Sequence, residues 1–253
     1  STSATLDASG ASLVGVAGGD TVSLSGTPSG SFPDKHVGTK SIPVSGLTLS
    51  GSDAGNYTLT QPTPSATITA KTLTVAGVTA QNRTYDGTTA ATVNAGGATL
   101  VGVVGADAVT LGGTASGTFA TKSAGTGKTV TVTGLTIGGA DAGDYTLAQP
   151  TPTANIAPKT LTVTGITAGD KVYDGTAAAT LTISSPALTG VIAGDTVTLS
   201  TGGASGVFDD KAVGSAKTVT VSGVSIGGAD AGNYLLGQPS PTADITAKAV
   251  TVT

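Results

Sequence analysis

The same short motifs return along this chain at a spacing of about 88 residues. A segment reading Lys-Thr-Leu-Thr-Val begins at Lys71 and again at Lys159, and Lys248 begins the variant Lys-Ala-Val-Thr-Val, so the steps are 88 and 89 residues (71 to 159 to 248). Self-similarity at a fixed period indicates a repeat architecture in which each copy is one structural unit. The chain is therefore predicted to be a tandem array of small modules.

The motifs define three copies that are not equally complete. Repeat one covers 1–70 and lacks the opening strand and the Tyr-Asp-Gly turn, because Ser1 aligns with the residue after that turn. Repeat two covers 71–158 and repeat three covers 159–247. Residues 248–253 match the opening strand of a fourth repeat; with a shifted module boundary they would instead be the closing strand of repeat three.

The composition predicts an all-β fold. Val and Thr alternate in segments such as 218–221, Gly is abundant at 39 residues, and Glu, Cys, Met and Trp are absent. Alternation favours half-buried strands, and Gly and Asp favour the turns between them. About seven short strands per repeat at roughly 8–12-residue spacing are typical of a β-sandwich. Short junctions between repeats predict modules stacked end to end as an elongated rod.

One motif favours an immunoglobulin-like sandwich. Asp-Ala-Gly-x-Tyr-x-Leu is similar to the turn that enters strand F of immunoglobulin domains, where the tyrosine forms a corner. We expect a tyrosine corner in each repeat, with the following leucine buried between the sheets and the recurrent phenylalanine also buried. The residues are Asp53, Tyr57 and Leu59; Asp141, Tyr145 and Leu147; Asp230, Tyr234 and Leu236; and Phe32, Phe119 and Phe208.

A Tyr-Asp-Gly motif occurs in repeats two and three. Its residues are Tyr85, Asp86 and Gly87, and Tyr173, Asp174 and Gly175. We interpret it as a structural turn, in which Asp accepts hydrogen bonds from nearby backbone N–H groups and Gly adopts a positive φ. The tyrosine is expected to pack over one end of the sandwich.

Taken together, these motifs resemble the YDG repeats, which are related to the mostly bacterial Ig-like (MBG) modules. The resemblance rests on the ordered set that begins at Lys71, continues through Tyr85 and Asp141, and ends on Gln149-Pro150. It implies a bacterial, secreted or surface-anchored array, as in large exoproteins and filamentous-haemagglutinin-like adhesins, whose repeats act as a stalk. The family brings no catalytic residues.

Neither a metal site nor an active site is expected. Two sets of aspartates recur, but each copy offers too few convergent oxygens for calcium, which remains a minor alternative. His36 is the only histidine, on a polar loop, and no motif marks a nucleophile or a phosphate loop. We therefore predict no enzyme activity, no cofactor and no metal. The aspartates are Asp20, Asp107 and Asp195, and Asp53, Asp141 and Asp230.

The recurrent lysines admit two interpretations. Lys122 and Lys211, or Lys128 and Lys217, could form an isopeptide bond with Asn or Asp, a cross-link that would suit a surface stalk. No Asn partner is present at the same position in every repeat, because the counterpart of Asn56 in repeat two is Asp144. Solvated lysines that discourage pairing at sheet edges are favoured.

The sequence thus predicts a non-enzymatic, extracellular or cell-surface adhesin region that acts as a structural stalk. The alternatives are a filament subunit joined by donor-strand exchange and a module that binds a ligand directly. Predicted partners are neighbouring repeats or copies of the chain itself, or a host or matrix glycan or protein. The formal charge of −4 and the pI of 4.7 argue against nucleic acid, and no apolar run supports membrane insertion.

Overall fold

The computed structural model describes residues 2–252, in which nearly all regular structure is β-strand. No helix in this part of the chain is both long enough and apolar enough to span a membrane. The chain divides into two compact units. The first comprises 1–76, 98–113 and 135–149, and the second comprises 77–97, 114–134 and 150–253. The division runs through repeat two.

Repeat one forms two antiparallel strand pairs within the first unit. Strands β1 and β3 pair with a register shift, and β2 pairs with β4. One 3-10 turn, Ala54–Asn56, precedes Tyr57. The strands are β1 Ser23–Gly30, β2 Gly38–Ser41, β3 Val44–Ser50 and β4 Ser65–Ile68.

Repeat two contributes a three-stranded sheet to the first unit, in the order β10-β5-β13. A five-stranded sheet has the order β7-β14-β12-β11-β8. A 3-10 turn, Ala142–Asp144, precedes β13. The strands are β5 Lys71–Ala76, β6 Thr79–Ala80, β7 Arg83–Thr84, β8 Ala90–Ala91, β9 Val93–Asn94, β10 Thr99–Val101, β11 Thr110–Phe119, β12 Gly125–Gly138, β13 Tyr145–Leu147 and β14 Thr153–Ala157.

Repeat three lies wholly in the second unit and repeats this topology. Its sheets have the orders β18-β15-β23 and β16-β24-β21-β20-β17, with a short β19-β22 pair. A 3-10 turn, Ala231–Asn233, precedes β23. The strands are β15 Lys159–Ala168, β16 Lys171–Val172, β17 Ala178–Ala179, β18 Leu181–Thr189, β19 Thr198–Ser200, β20 Ser205–Phe208, β21 Gly214–Ser222, β22 Ser225–Gly227, β23 Tyr234–Leu236 and β24 Thr242–Thr246.

The core of repeat three lies between these two sheets. Ile166 of β15 packs in one buried cluster with Phe208 of β20, Val219 and Val221 of β21, and Ile245 of β24. Alternation along β21 directs its valines inward and its threonines outward, as a period of two requires. The all-β sandwich expected from the sequence is therefore present, although each complete repeat has ten strands instead of about seven.

A close approach of two backbone segments requires a glycine at one equivalent position of each repeat. Gly46, Gly134 and Gly223 have φ values of 87°, 87° and 78°. An added Cβ would lie 2.0–2.4 Å from the carbonyl oxygen of Thr27, Thr114 or Gly203, respectively. Both the positive φ and this distance exclude a larger side chain. These glycines precede a buried Leu or Val, so the chain must bend there to bury it.

The expected burial of the leucines after the motif tyrosines was wrong. Leu59, Leu147 and Leu236 are half-buried. The reason is their place in the sheet, since β13 and β23 are edge strands. Leu73 and Leu161 on the central strands of the same sheets are fully buried instead.

The phenylalanines follow the expectation in two repeats of three. Phe119 and Phe208 are buried, whereas Phe32 is half-buried. Arg83 covers the ring of Phe119 and Lys171 covers that of Phe208, with 5.4 Å and 6.0 Å to the ring centroids.

The segment 248–252 forms no strand in the structure. Its valines, Val250 and Val252, are 90% and 102% exposed. Thr253 lies outside the described residues.

Candidate functional site

Every repeat places a tyrosine hydroxyl on an aspartate from a distant loop. Tyr57, Tyr145 and Tyr234 each donate to a carboxylate at 2.6 Å, and each also accepts a backbone N–H from the same loop at 2.9–3.0 Å. The three acceptors are Asp20, Asp107 and Asp195. The loop is thereby held against the segment that begins with the tyrosine, which is a strand in repeats two and three.

This contact corrects the expected tyrosine corner. The acceptor lies 37 to 39 residues before the tyrosine, whereas a corner tyrosine bonds to the backbone a few residues upstream. The strand that follows also differs from strand F, because β13 pairs in parallel with β5, and β23 in parallel with β15. Strand F would be antiparallel to its neighbours.

A second aspartate completes the arrangement. Asp53, Asp141 and Asp230 each accept a backbone N–H from the loop through Oδ2, at 2.9, 2.8 and 2.8 Å. We call the two aspartates and the tyrosine of one repeat its acidic socket. The sockets are Asp20, Asp53 and Tyr57; Asp107, Asp141 and Tyr145; and Asp195, Asp230 and Tyr234.

Within the first unit, the socket of repeat two binds a lysine of repeat one. The Nζ of Lys35 lies 2.5 Å from Oδ1 of Asp107 and 2.8 Å from Oδ1 of Asp141. Both carboxylates are largely shielded, with side-chain exposures of 14% and 16%. A cation shared by two shielded carboxylates is a stronger link than an isolated surface pair.

Within the second unit, the socket of repeat three binds the equivalent lysine of repeat two. Lys122 Nζ lies 2.7 Å from Oδ1 of Asp195, whose side chain is 1% exposed. Oδ2 of the same carboxylate accepts the hydroxyls of Tyr234 and Tyr85, at 2.6 and 2.7 Å. Three donors thus compensate one buried charge, as a buried carboxylate requires. Lys122 is therefore not the solvated strand-edge lysine that the sequence favoured.

We call an acidic socket together with the lysine that it binds from the preceding repeat a joint. The Tyr-Asp-Gly turn of repeat two contributes directly to the joint between repeats two and three. Besides its hydrogen bond to Asp195, the Tyr85 ring packs edge-to-face on Tyr234, with centroids 5.4 Å apart. Gly87 has a φ of 81°, and a Cβ there would lie 2.9 Å from Cγ2 of Ile192. The turn therefore fits against the neighbouring repeat.

The aspartate of each turn stabilises the turn itself. Asp86 Oδ1 accepts the backbone N–H and the hydroxyl of Thr88 at 2.8 and 2.9 Å, and Asp174 Oδ1 does so from Thr176 at 2.9 Å. Gly175 has a φ of 85°. Tyr173 is half-buried and packs against the core of repeat three.

A second hydrogen bond accompanies the lysine at each joint. The backbone N–H of Val37 donates to Oδ1 of Asp144 at 2.8 Å, and that of Ala124 donates to Oδ1 of Asn233 at 2.9 Å. Either residue supplies the same oxygen, which explains physically why Asp and Asn alternate at this position. Asn56 of repeat one is the third equivalent and is exposed.

The ion pairs shift the pKa values of the joint. The Lys122 ammonium, followed by the hydroxyls of Tyr234 and Tyr85, lowers the pKa of Asp195 to about 2. Burial together with the Asp195 carboxylate raises the pKa of Tyr234 to about 12. The Lys35 ammonium likewise lowers the pKa of Asp107. The charged forms are therefore stabilised wherever a lysine occupies a socket.

Within residues 2–252, one group of side chains lies close enough together to hold a metal ion. The ligand atoms of His36, Asp141 and Asp144 lie within 4.8 Å of one another. However, Asp141 also binds the Lys35 ammonium, and His36 Nδ1 lies 2.8 Å from Asp144 Oδ2. An ammonium beside the carboxylates disfavours a divalent cation, so the group fits a joint between repeats better than a metal site.

The other recurrent lysines stay within their own repeat. Lys128 Nζ donates to the Thr121 hydroxyl at 2.8 Å, and Lys217 Nζ lies 3.1 and 2.7 Å from carboxylate oxygens of Asp209 and Asp210. The recurrence of a lysine at positions 35, 122 and 211 was the one sequence feature that could have marked these residues as part of a contact between repeats. The sequence held no signal for their partners, which lie about one repeat further along.

The YDG domain model matches the chain three times, over residues 1–66, 69–154 and 157–243. The chain belongs to the YDG domain family. Each matched YDG domain carries one acidic socket, and the Tyr-Asp-Gly motif is the turn that reaches from the second domain to the third. Searches of characterised proteins and of solved structures found no significant match.

Proposed function

We propose that this chain is a non-enzymatic structural region of a bacterial extracellular or cell-surface adhesin, in which tandem YDG domains serve as a load-bearing stalk. The observation that supports this most is the repeated joint. Asp107 and Asp195 each bind a lysine from the preceding domain, at 2.5 and 2.7 Å. A stalk requires each domain to be connected to the next in the same way, and these contacts provide that connection.

The polar side chains of the joints support a structural role. Their carboxylates bind lysine, tyrosine and backbone groups of the chain itself, so Asp107, Asp141 and Asp195 are already used in contacts within and between domains. A catalytic carboxylate would instead need a free oxygen facing a substrate. An adhesin stalk fits this pattern, with ligand recognition assigned to another part of the protein.

Single-molecule force spectroscopy tests the proposal. Pulling the chain from its ends should unfold it in more than one step, because the chain divides into two compact units. The match at 157–243 lies wholly in the second unit, and its unfolding should release roughly 300 Å of chain, at about 3.5 Å per residue.

The Lys122→Met variant should lower the unfolding force of the third domain, since it removes the cation from Asp195. Lys211→Met is the matched control, because Lys211 is the equivalent exposed lysine and forms no ion pair within residues 2–252. Equal forces for the two variants would contradict a load-bearing joint. Binding of the chain to a panel of glycans and matrix proteins would assign it recognition instead of support.

A further inference from the structure

The first and last segments of repeat three run side by side in the same direction. Strand β15 pairs in parallel with β23 through three residue pairs, beginning with Lys159 opposite Tyr234. Strand β16 pairs in parallel with β24 through two more residue pairs, ending with Val172 opposite Thr246. The other strand pairs of this repeat are antiparallel. Each of the two larger sheets therefore contains one parallel pair, which joins the beginning of the repeat to its end.

Repeat two has the same two parallel pairs. Strand β5 pairs with β13 in the first unit, beginning with Lys71 opposite Tyr145. Strand β7 pairs with β14 in the second unit, ending with Thr84 opposite Ala157. The residues at these positions differ between the two repeats, whereas the pairing does not. Parallel closure is therefore a property of the fold.

Tension along the chain would act on these pairs in one particular direction. In repeat three it would enter β15 at Lys159 and leave β24 at Thr246. Because the paired segments are parallel, the first is pulled toward its own beginning and the last toward its own end, so the two are pulled past each other. Ladder hydrogen bonds run from strand to strand. A force along the strands therefore loads the bonds of a ladder together instead of one after another.

The core supports the parallel pairs in both sheets. Leu161 of β15 is 0% exposed and Ile245 of β24 is 1% exposed. The backbone N–H of Gly237 donates to the carbonyl oxygen of Leu161 at 2.9 Å, and that of Tyr173 donates to Thr246 at 2.8 Å. Sliding a strand by one residue would turn its buried side chains outward, since successive side chains point to opposite faces. Core packing and hydrogen bonds therefore resist the same movement.

We infer that the two parallel pairs of each complete repeat form a shear clamp, which sets the force at which that domain unfolds under tension. The shear clamp of repeat three is β15 with β23 and β16 with β24, and that of repeat two is β5 with β13 and β7 with β14. A shear clamp rests on the proposed function, because it has a use only where tension acts along the chain. It provides resistance inside a domain, whereas a joint connects one domain to the next.

The joint between repeats two and three meets the shear clamp at Tyr234. This residue begins β23 opposite Lys159, and its hydroxyl binds Asp195, which also binds Lys122 of repeat two. Repeat two thus holds the start of β15 through the chain itself and the start of β23 through the joint. Because both parallel strands are held at the same end, they slide past each other only after the joint opens.

Pulling the same domain in two directions tests the shear clamp. The chain contains no cysteine, so pairs of introduced cysteines define where force is applied in the full chain. Thr160→Cys with Thr246→Cys pulls the first and last segments past each other. Thr160→Cys with Leu235→Cys is the matched control, because it pulls apart two residues that lie directly opposite each other. All three side chains are exposed, so both variants should fold as the unchanged chain does.

The first geometry should require a several-fold higher unfolding force than the second. It loads the three pairs of β15 with β23 and the two pairs of β16 with β24 together, whereas the second geometry separates the pairs in turn. The lengths of chain released should be about 300 Å for residues 160–246 and about 260 Å for residues 160–235, at about 3.5 Å per residue. These lengths assign each event to repeat three, and circular dichroism melts of both variants control for a general loss of stability.

Equal unfolding forces in the two geometries, or a higher force in the second, would overturn the inference. If Thr160→Cys prevents folding, Thr162→Cys at the next exposed position of β15 replaces it in both pairs. The joints carry no load in this experiment, because both attachment points lie within repeat three, so its failure leaves the stalk proposal standing. Conversely, equal forces for the two lysine variants would contradict a load-bearing joint and leave the shear clamp intact.

Discussion

Replacing Asp195 with alanine should destabilise the second unit strongly. The carboxylate is 1% exposed and accepts hydrogen bonds from Tyr85, Tyr234 and Lys122. Its removal leaves the hydroxyls of Tyr85 and Tyr234 in a buried position without their acceptor, since these residues are 1% and 6% exposed. Lys122 is 41% exposed and regains water, so it adds little to the cost.

The magnitude follows from those two hydroxyls. A buried donor that loses its partner costs about 1–3 kcal/mol. Two such donors that share one site, and therefore relax together, should cost about 3 kcal/mol. For a cooperative unit of 150–250 residues this corresponds to a fall of about 6–12 °C in Tm.

Asp20→Ala provides the matched control for that substitution. Asp20 is the equivalent residue of repeat one, but it is exposed, and within residues 2–252 its carboxylate accepts only the Tyr57 hydroxyl. We expect a cost below about 1 kcal/mol, because water replaces an exposed hydrogen bond. Calorimetry and urea unfolding of both variants measure the difference. Equal losses of stability, or no loss for Asp195→Ala, would refute the assignment of the joint's stability to its buried carboxylate.

Two further predictions concern the same joint. The pKa of Asp195 is lowered from 3.8 to about 2, so its contribution to stability is complete above about pH 4 and is lost as pH falls toward 2. Lys122→Met removes the main cause of that shift and should therefore raise the midpoint pH of acid unfolding. Circular dichroism during acid titration measures this midpoint. Gly87→Ala should destabilise the protein more than Gly175→Ala. Both glycines have a positive φ, which costs an alanine about 1–2 kcal/mol, but only at Gly87 would the added Cβ meet a neighbour, Cγ2 of Ile192, at 2.9 Å. Equal losses of stability in urea unfolding would show that this contact is not tight.

The three repeats and the all-β class followed from the sequence alone. Those properties depend on local chemistry, such as the valine–threonine alternation along β21. The sequence did not predict the hydrogen-bond partners of Tyr57, Tyr145 and Tyr234. The motif that begins at Asp53 is similar to an immunoglobulin tyrosine corner, so it indicated a nearby backbone acceptor instead of the distant aspartate.

Tertiary structure decided what the charged residues do. Lys35 and Asp107 are 72 residues apart, and Lys122 and Asp195 are 73 apart. The distance between two side chains in different repeats depends on how one domain meets the next, which no periodic pattern encodes. The sequence marked each lysine and each aspartate as recurrent, and only the packed domains showed that each cation belongs to the socket of the following repeat.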